Sequence, residues 1–268
     1  MTTVNQRYRN LNPSGSSPRE ISEVVNNLMD GKSNNTGIVT LGTGWATTTT
    51  IYDERIGYSS IILLEASTDA AEADTAPYGS FSNSTSQTAP SVGSTAVVIY
   101  DTTESSNGVY RDTVNTSRIY VRNYGWYNIQ FSLELSNGDN VAQWADVWYR
   151  QNGVDVPRSA TRFNMPARPN ANDLSHVCGT VNIFLEMQAG DYVEVAGTTS
   201  STLVGLTSYP ANTTIPRPAI PSAIVTLNYI APLSMDNVYI SSQQKGQATL
   251  SHFANNTANK TYKYLIVG

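Results

Sequence analysis

The side chains able to do chemistry are few and poorly spaced for it. The 268 residues include 2 histidines and 1 cysteine. His176 and His252 form no H-x-x-x-H pair and no C-x-x-C accompanies them, so the spacing offers no zinc ligand set. No G-x-S-x-G elbow and no phosphate-cradling glycine loop is present. Ser175, His176 and Cys178 lie close in sequence, but neighbouring strand positions send side chains to opposite faces, which argues against a nucleophile and its base. Cys178 reads instead as a small buried hydrophobe. His252, beside Ala254-Asn255-Asn256, reads as a hydrogen-bonding group that supports a turn. Asp139, Asp146, Glu186 and Asp191 are the carboxylates that glycan cleavage would draw on, a chemistry defined by separation in space. No D-x-D-x-D run supports a calcium loop. The expectation is a chain that is not an enzyme, with no catalytic residue, no cofactor and no metal.

Recognition is the chemistry that remains. Trp126, Trp144, Trp148 and Tyr149 are large rings, and a solvent-facing one could stack on a sugar or anchor a protein contact. On strands, most of the four are expected to fill the core.

Composition narrows the class. Charged residues make up 14%, below the ~25% of ordinary globular chains. With a net charge of only -5, disorder is not favoured. Ser, Thr, Asn and Gly fill the gap, which suits strands with polar, uncharged outer faces. The acidic balance and the absence of a basic run argue against nucleic acid. The polar N-terminus lacks the apolar core of a signal peptide, and no apolar run approaches the ~20 residues that span a bilayer. Synthesis in the cytoplasm without membrane insertion is expected.

The elements that must position these residues are mostly strands. Residues 1–16 form an extended polar arm. Ser17-Pro18-Arg19-Glu20 is a capping box with proline at the first helical position. Ile21, Val24, Val25, Leu28 and Met29 then recur as one apolar helical stripe, with Gly31 placed for a left-handed C-terminal cap. A helix of about three turns is marginal alone, so the stripe must be buried on the rest of the chain, on sister subunits or on a larger particle. Ordinary packing is the simpler expectation. Residues 37–41 and 47–51 follow as short strands, and 59–66 as a strand buried on both faces. Residues 76–94, rich in Ala, Ser and Thr, look like a linker. The densest strand pattern covers 95–230, including the alternation Tyr127, Ile129, Phe131, Leu133 and the hairpin signal Asn152-Gly153. With no helix among these strands, an antiparallel sandwich is predicted. Three more strands follow in 231–268.

Two stretches carry resemblances. Val97-Val98-Ile99-Tyr100, Ile119-Tyr120-Val121, Gly125-Trp126-Tyr127-Asn128-Ile129, Asn152-Gly153, Gly190-Asp191-Tyr192-Val193 and the final strand Ile224–Ile230 resemble, in order and spacing, the C1q/TNF-like jelly roll. That resemblance implies a homotrimer whose strand-end loops bind partners. The flanks, Glu20–Lys32 with Ile61–Leu64 and then Val238–Ser241, Gly246–Asn256 and Lys260–Gly268, resemble a small module of bacteriophage head-fibre and tail-fibre proteins. Residues 17–75 and 231–268 would be two halves of one base β-domain, with the jelly roll inserted between them. The combined resemblance implies a virion structural protein, a head fibre or decoration protein at the capsid surface, held by the major capsid protein or other virion proteins. The alternative is a tail-associated fibre or adaptor that binds host-surface glycan.

Overall fold

The computed structural model describes residues 2–4, 8, 10–30, 34–68, 76–89, 91–230, 238–256 and 258–268. The fold is mainly β, built of antiparallel sheets, with a single α-helix among the described residues. The chain divides into two compact units, Met1–Asp74 with Met235–Gly268, and Thr75–Ser234.

The first unit opens with strand β1 (Thr2–Val4), followed by helix α1 (Pro18–Met29). Glu20 N donates to the Ser17 hydroxyl at 3.3 Å, and Ser17 N donates to the Glu20 carboxylate at 2.8 Å, so the capping box is formed. Pro18 gives up an N–H that no helical carbonyl could have used. Asp30 caps the far end; Gly31 lies outside the described residues. Among the described residues the stripe finds no core to pack into. Ile21 is 44%, Val25 47%, Leu28 64% and Met29 83% exposed, Val24 is half-buried, and no helical residue is buried. Ordinary packing is thus overturned: the cap fixes the helix, and its apolar face stays in solvent. Strands β2 (Thr36–Thr40), β3 (Ala46–Tyr52) and β4 (Ile61–Ala66) complete this half.

The second unit is a jelly-roll-like sandwich. Its strands are β5 (Tyr78–Asn83), β6 (Gln87–Thr88), β7 (Ala96–Val97), β8 (Thr102–Asn107), β9 (Val109–Arg111), β10 (Ile119–Val121) and β11 (Gly125–Asn137). They continue as β12 (Gln143–Gln151), β13 (Val154–Asp155), β14 (Thr161–Met165), β15 (Ser175–Met187), β16 (Tyr192–Thr199), β17 (Val204–Leu206) and β18 (Ala223–Ile230). One sheet runs β13-β12-β16-β10-β9, with β14 on β12 and β7 on β16. The other runs β6-β17-β11-β18-β5-β8, with β15 on β11. Tyr127, Ile129, Phe131 and Leu133 are buried on one side of β11, as their alternation requires, and they join Val147, Tyr149, Val193 and Val195 in the core. Asn152 (φ 51°) and Gly153 (φ 80°) make the β12–β13 turn, both with the positive φ that a two-residue hairpin demands.

Part of the expected linker is a strand instead. β5 pairs with β18 on one side and β8 on the other, and Phe81 is fully buried. The composition hid it because the inward position Gly79 is glycine for space: a Cβ there would lie 2.6 Å from the Phe81 ring.

The chain then returns to the first unit with β19 (Val238–Gln244), β20 (Gln247–Asn255) and β21 (Thr261–Val267). One sheet is ordered β1-β2-β21-β4 and the other β19-β20-β3. The segments on either side of the sandwich thus share hydrogen-bonded sheets, around a core that includes Val39, Ile51, Leu250, Tyr264 and Ile266. β4 departs from expectation. It is an edge strand with one covered face, and Ile61 (61%) and Leu63 (55%) are exposed.

Candidate functional site

The rings singled out in the sequence separate in the structure. On β12 the inward positions are Ala145, Val147 and Tyr149, all buried; Trp144, Asp146, Trp148 and Arg150 take the outward ones. Trp126 is half-exposed on the outer face of the other sheet, paired with Ile230. Of the four, only Tyr149 fills the core, because one face of β12 meets the opposite sheet and its tryptophans lie on the other.

Two single residues also depart from expectation. Cys178 is exposed, with its sulfur 3.5 Å from the Ser132 hydroxyl. His252 is buried within β20 and not in a turn: its Nε2 lies 2.8 Å from the Thr49 hydroxyl. Among the described residues, no three His, Cys, Asp or Glu side chains cluster so as to hold a metal.

The outer face of the β12–β16 sheet gathers the side chains most suited to recognition. Tyr120 on β10 stands opposite Tyr110 on β9 and Tyr192 on β16. The Tyr110 and Tyr120 rings stack at 5.3 Å with 14° between planes, and Tyr120 and Tyr192 meet at 5.2 Å with a 50° tilt. The Arg122 guanidinium lies 4.2 Å from the Tyr110 ring centre, and that of Arg118 lies 4.6 Å from Tyr192. Such pairs gain from the negative ring face meeting a cation. The register continues this face along β12, where Arg150 pairs Glu194 and Trp148 pairs Ala196. Trp148 Nε1 donates to Asp155 at 2.8 Å, and Arg162 lies 4.0 Å over Trp144.

Charges on this face are matched. Arg162 donates two hydrogen bonds of 2.7 Å to Asp146, and these hold the Asp146 carboxyl below the usual range against the opposing effect of burial. Buried Glu194 accepts from the Ser117 hydroxyl at 2.7 Å, with Arg118 at 3.5 Å and Arg150 at 4.0 Å. The other carboxylates weighed for catalysis have structural partners too. Gln143 donates to Asp139 and Tyr124 to Glu186, while Asp191 accepts from Gln188 N, Gln151 and Asn152. Half-buried aromatic planes with fixed cations between them suit stacking and hydrogen bonding to a flat, polar ligand such as a sugar ring. The tyrosines and arginines here were missed in the sequence, although Arg118-Ile119-Tyr120-Val121-Arg122 carried the signal: alternation puts Arg, Tyr and Arg on one face.

The sequence matches no protein-family model and no curated protein.

Proposed function

We propose that the chain is a non-enzymatic structural protein of a bacteriophage virion, a trimeric head fibre or decoration protein of the capsid surface. The first unit attaches, and the sandwich is displayed. The observation that carries this reading is α1, a properly capped helix whose apolar stripe is left in solvent, with Leu28 64% and Met29 83% exposed. Apolar surface in water is unfavourable by roughly 25 cal/mol per Å², so a stripe of this kind is best explained by a partner. The flanking resemblance to fibre modules supplies the setting, with copies of the same chain and the major capsid protein or another virion protein as partners. Nucleic acid is disfavoured by the net charge of -5. No helix among the described residues is long and apolar enough to cross a membrane. Gold-labelled antibody on intact particles, imaged by electron microscopy, should decorate the capsid. Particles left unlabelled would overturn the reading, as would a stable monomer in native mass spectrometry for the trimer.

The outer aromatic face favours a second reading, a tail-associated fibre or adaptor that binds host-surface glycan. Label confined to the tail, together with capture of the chain by host polysaccharide, would select it.

A further inference from the structure

A half-open cavity of about 270 Å³ lies between the two sheets of the sandwich. Leu133, Leu135 and Leu206 line it from one sheet, and Ala145, Val147 and Thr199 from the other. Elsewhere this core is filled by Tyr127, Phe131 and Tyr149, whereas the lining here is aliphatic and polar side chains with no aromatic ring. Gly197, on the inward side of β16 with Val195 and Thr199, is held to glycine by its neighbour strand, since a Cβ would lie 3.0 Å from the Asp146 carbonyl oxygen. Close strand approach at Gly197 thus keeps a side chain out of this part of the space.

Thr199 supplies a polar feature. Alternation along β16 puts it on the same side as buried Val193 and Val195. Its hydroxyl is buried and has no hydrogen-bond partner among the described residues, an arrangement folded proteins rarely leave unanswered. Asp146, the ionisable residue in the lining, spends its carboxylate on Arg162 at 2.7 Å. The space therefore selects against a charged occupant.

From this we infer that the cavity is a binding site for a small neutral amphipath, a compact apolar body with one hydroxyl or carbonyl that meets Thr199. An apolar cavity of about 150 Å³ takes up benzene, so this one has room for a two-ring body. The inference is independent of any role in a virion.

The test is titration of the full chain with 2-naphthol and with naphthalene, followed by methyl NMR of Leu133, Leu135 and Leu206. Both probes should shift these methyl signals, with 2-naphthol binding more tightly. Thr199→Val should weaken 2-naphthol about three- to tenfold, the range of one hydrogen bond, and leave naphthalene unchanged. Ala145→Leu, filling the space, should abolish both. If that variant does not fold, nuclear Overhauser contacts from 2-naphthol to the same leucine methyls serve in its place. Absence of binding up to the probes' solubility limits overturns the inference. So does equal weakening of both probes by Thr199→Val, or shifts confined to other surfaces, which would leave only water beside Thr199.

Discussion

The Tyr149 hydroxyl donates to the Val181 carbonyl at 2.7 Å, although Tyr149 stands on β12 and Val181 on β15 in the facing sheet. The same oxygen accepts from Phe131 N at 3.1 Å, and Phe131 and Val181 are cross-strand partners. One phenol in the core therefore ties two sheets together. Burial raises its pKa above the ordinary tyrosine value, so it remains a donor. Tyr149→Phe keeps the ring and leaves Phe131 N without this acceptor. The expected loss is about 1–3 kcal/mol, read as a lower urea midpoint with an unchanged slope. No change would mean that the bond contributes nothing net.

In the first unit, Asp53 accepts from Tyr264 at 2.8 Å and from Arg55 Nε at 2.7 Å. Burial pushes the Asp53 carboxyl up, but the hydrogen bonds from Arg55 and Tyr264 outweigh it and the net shift is downward. A carboxyl depressed on folding contributes stability that is present above its unfolded value of about 3.9 and lost as pH falls through the lower folded value. The first unit should therefore weaken below about pH 4, as followed by the Ile51 and Ile266 methyl signals in urea. Asp53→Asn should cost about 3 kcal/mol at pH 7 and remove this part of the acid dependence. An acid profile identical to that of the unaltered chain would refute the assignment.

Local signals survived into the structure, and signals that depend on a neighbour did not. Ser17-Pro18-Arg19-Glu20 and Asn152-Gly153 fix their own backbone, so the helix start and the hairpin were legible. The alternation through Tyr127 and Leu133 was legible because β11 has one core face. β5 was not, since its inward glycine is explained by the Phe81 ring together with Val109 of β9, which only the fold brings against it. The double burial expected of β4 failed because hydropathy does not say which sheet face is covered. Trp144 and Trp148 were expected in the core because they stand on a strand, whereas their place follows from the parity of β12 against Ala145, Val147 and Tyr149. The tyrosine row comes from β9, β10 and β16, and only strand register brings it together.

The exposed helix separates folding from assembly. Val25→Asp with Leu28→Asp changes two solvent-facing positions, so the stability read from urea unfolding should stay within about 0.5 kcal/mol of the original. Trimer formation and attachment to particles should be lost, as measured by native mass spectrometry and by co-sedimentation with particles lacking the protein. Ser17→Ala removes the cap at a cost of about 1 kcal/mol to the helix and should weaken attachment only in part. Full attachment by the double variant would show that the stripe is not the docking surface.

Tyr120 tests whether the outer face recognises a ligand. It contacts both Tyr110 and Tyr192, and each ring pair contributes about 0.5–1.5 kcal/mol beyond its area. Tyr120→Ala should therefore lower stability by about 2 kcal/mol and abolish retention on immobilised host polysaccharide. Tyr120→Phe keeps both ring contacts and should retain binding, which separates stacking from any need for the hydroxyl. Trp126 lies on the other sheet, so Trp126→Ala should leave retention unchanged. Arg162→Ala frees the Trp144 ring and Asp146 together and should weaken binding without affecting the tyrosine row. Retention lost in Trp126→Ala but kept in Tyr120→Ala would move the recognition surface to the opposite sheet.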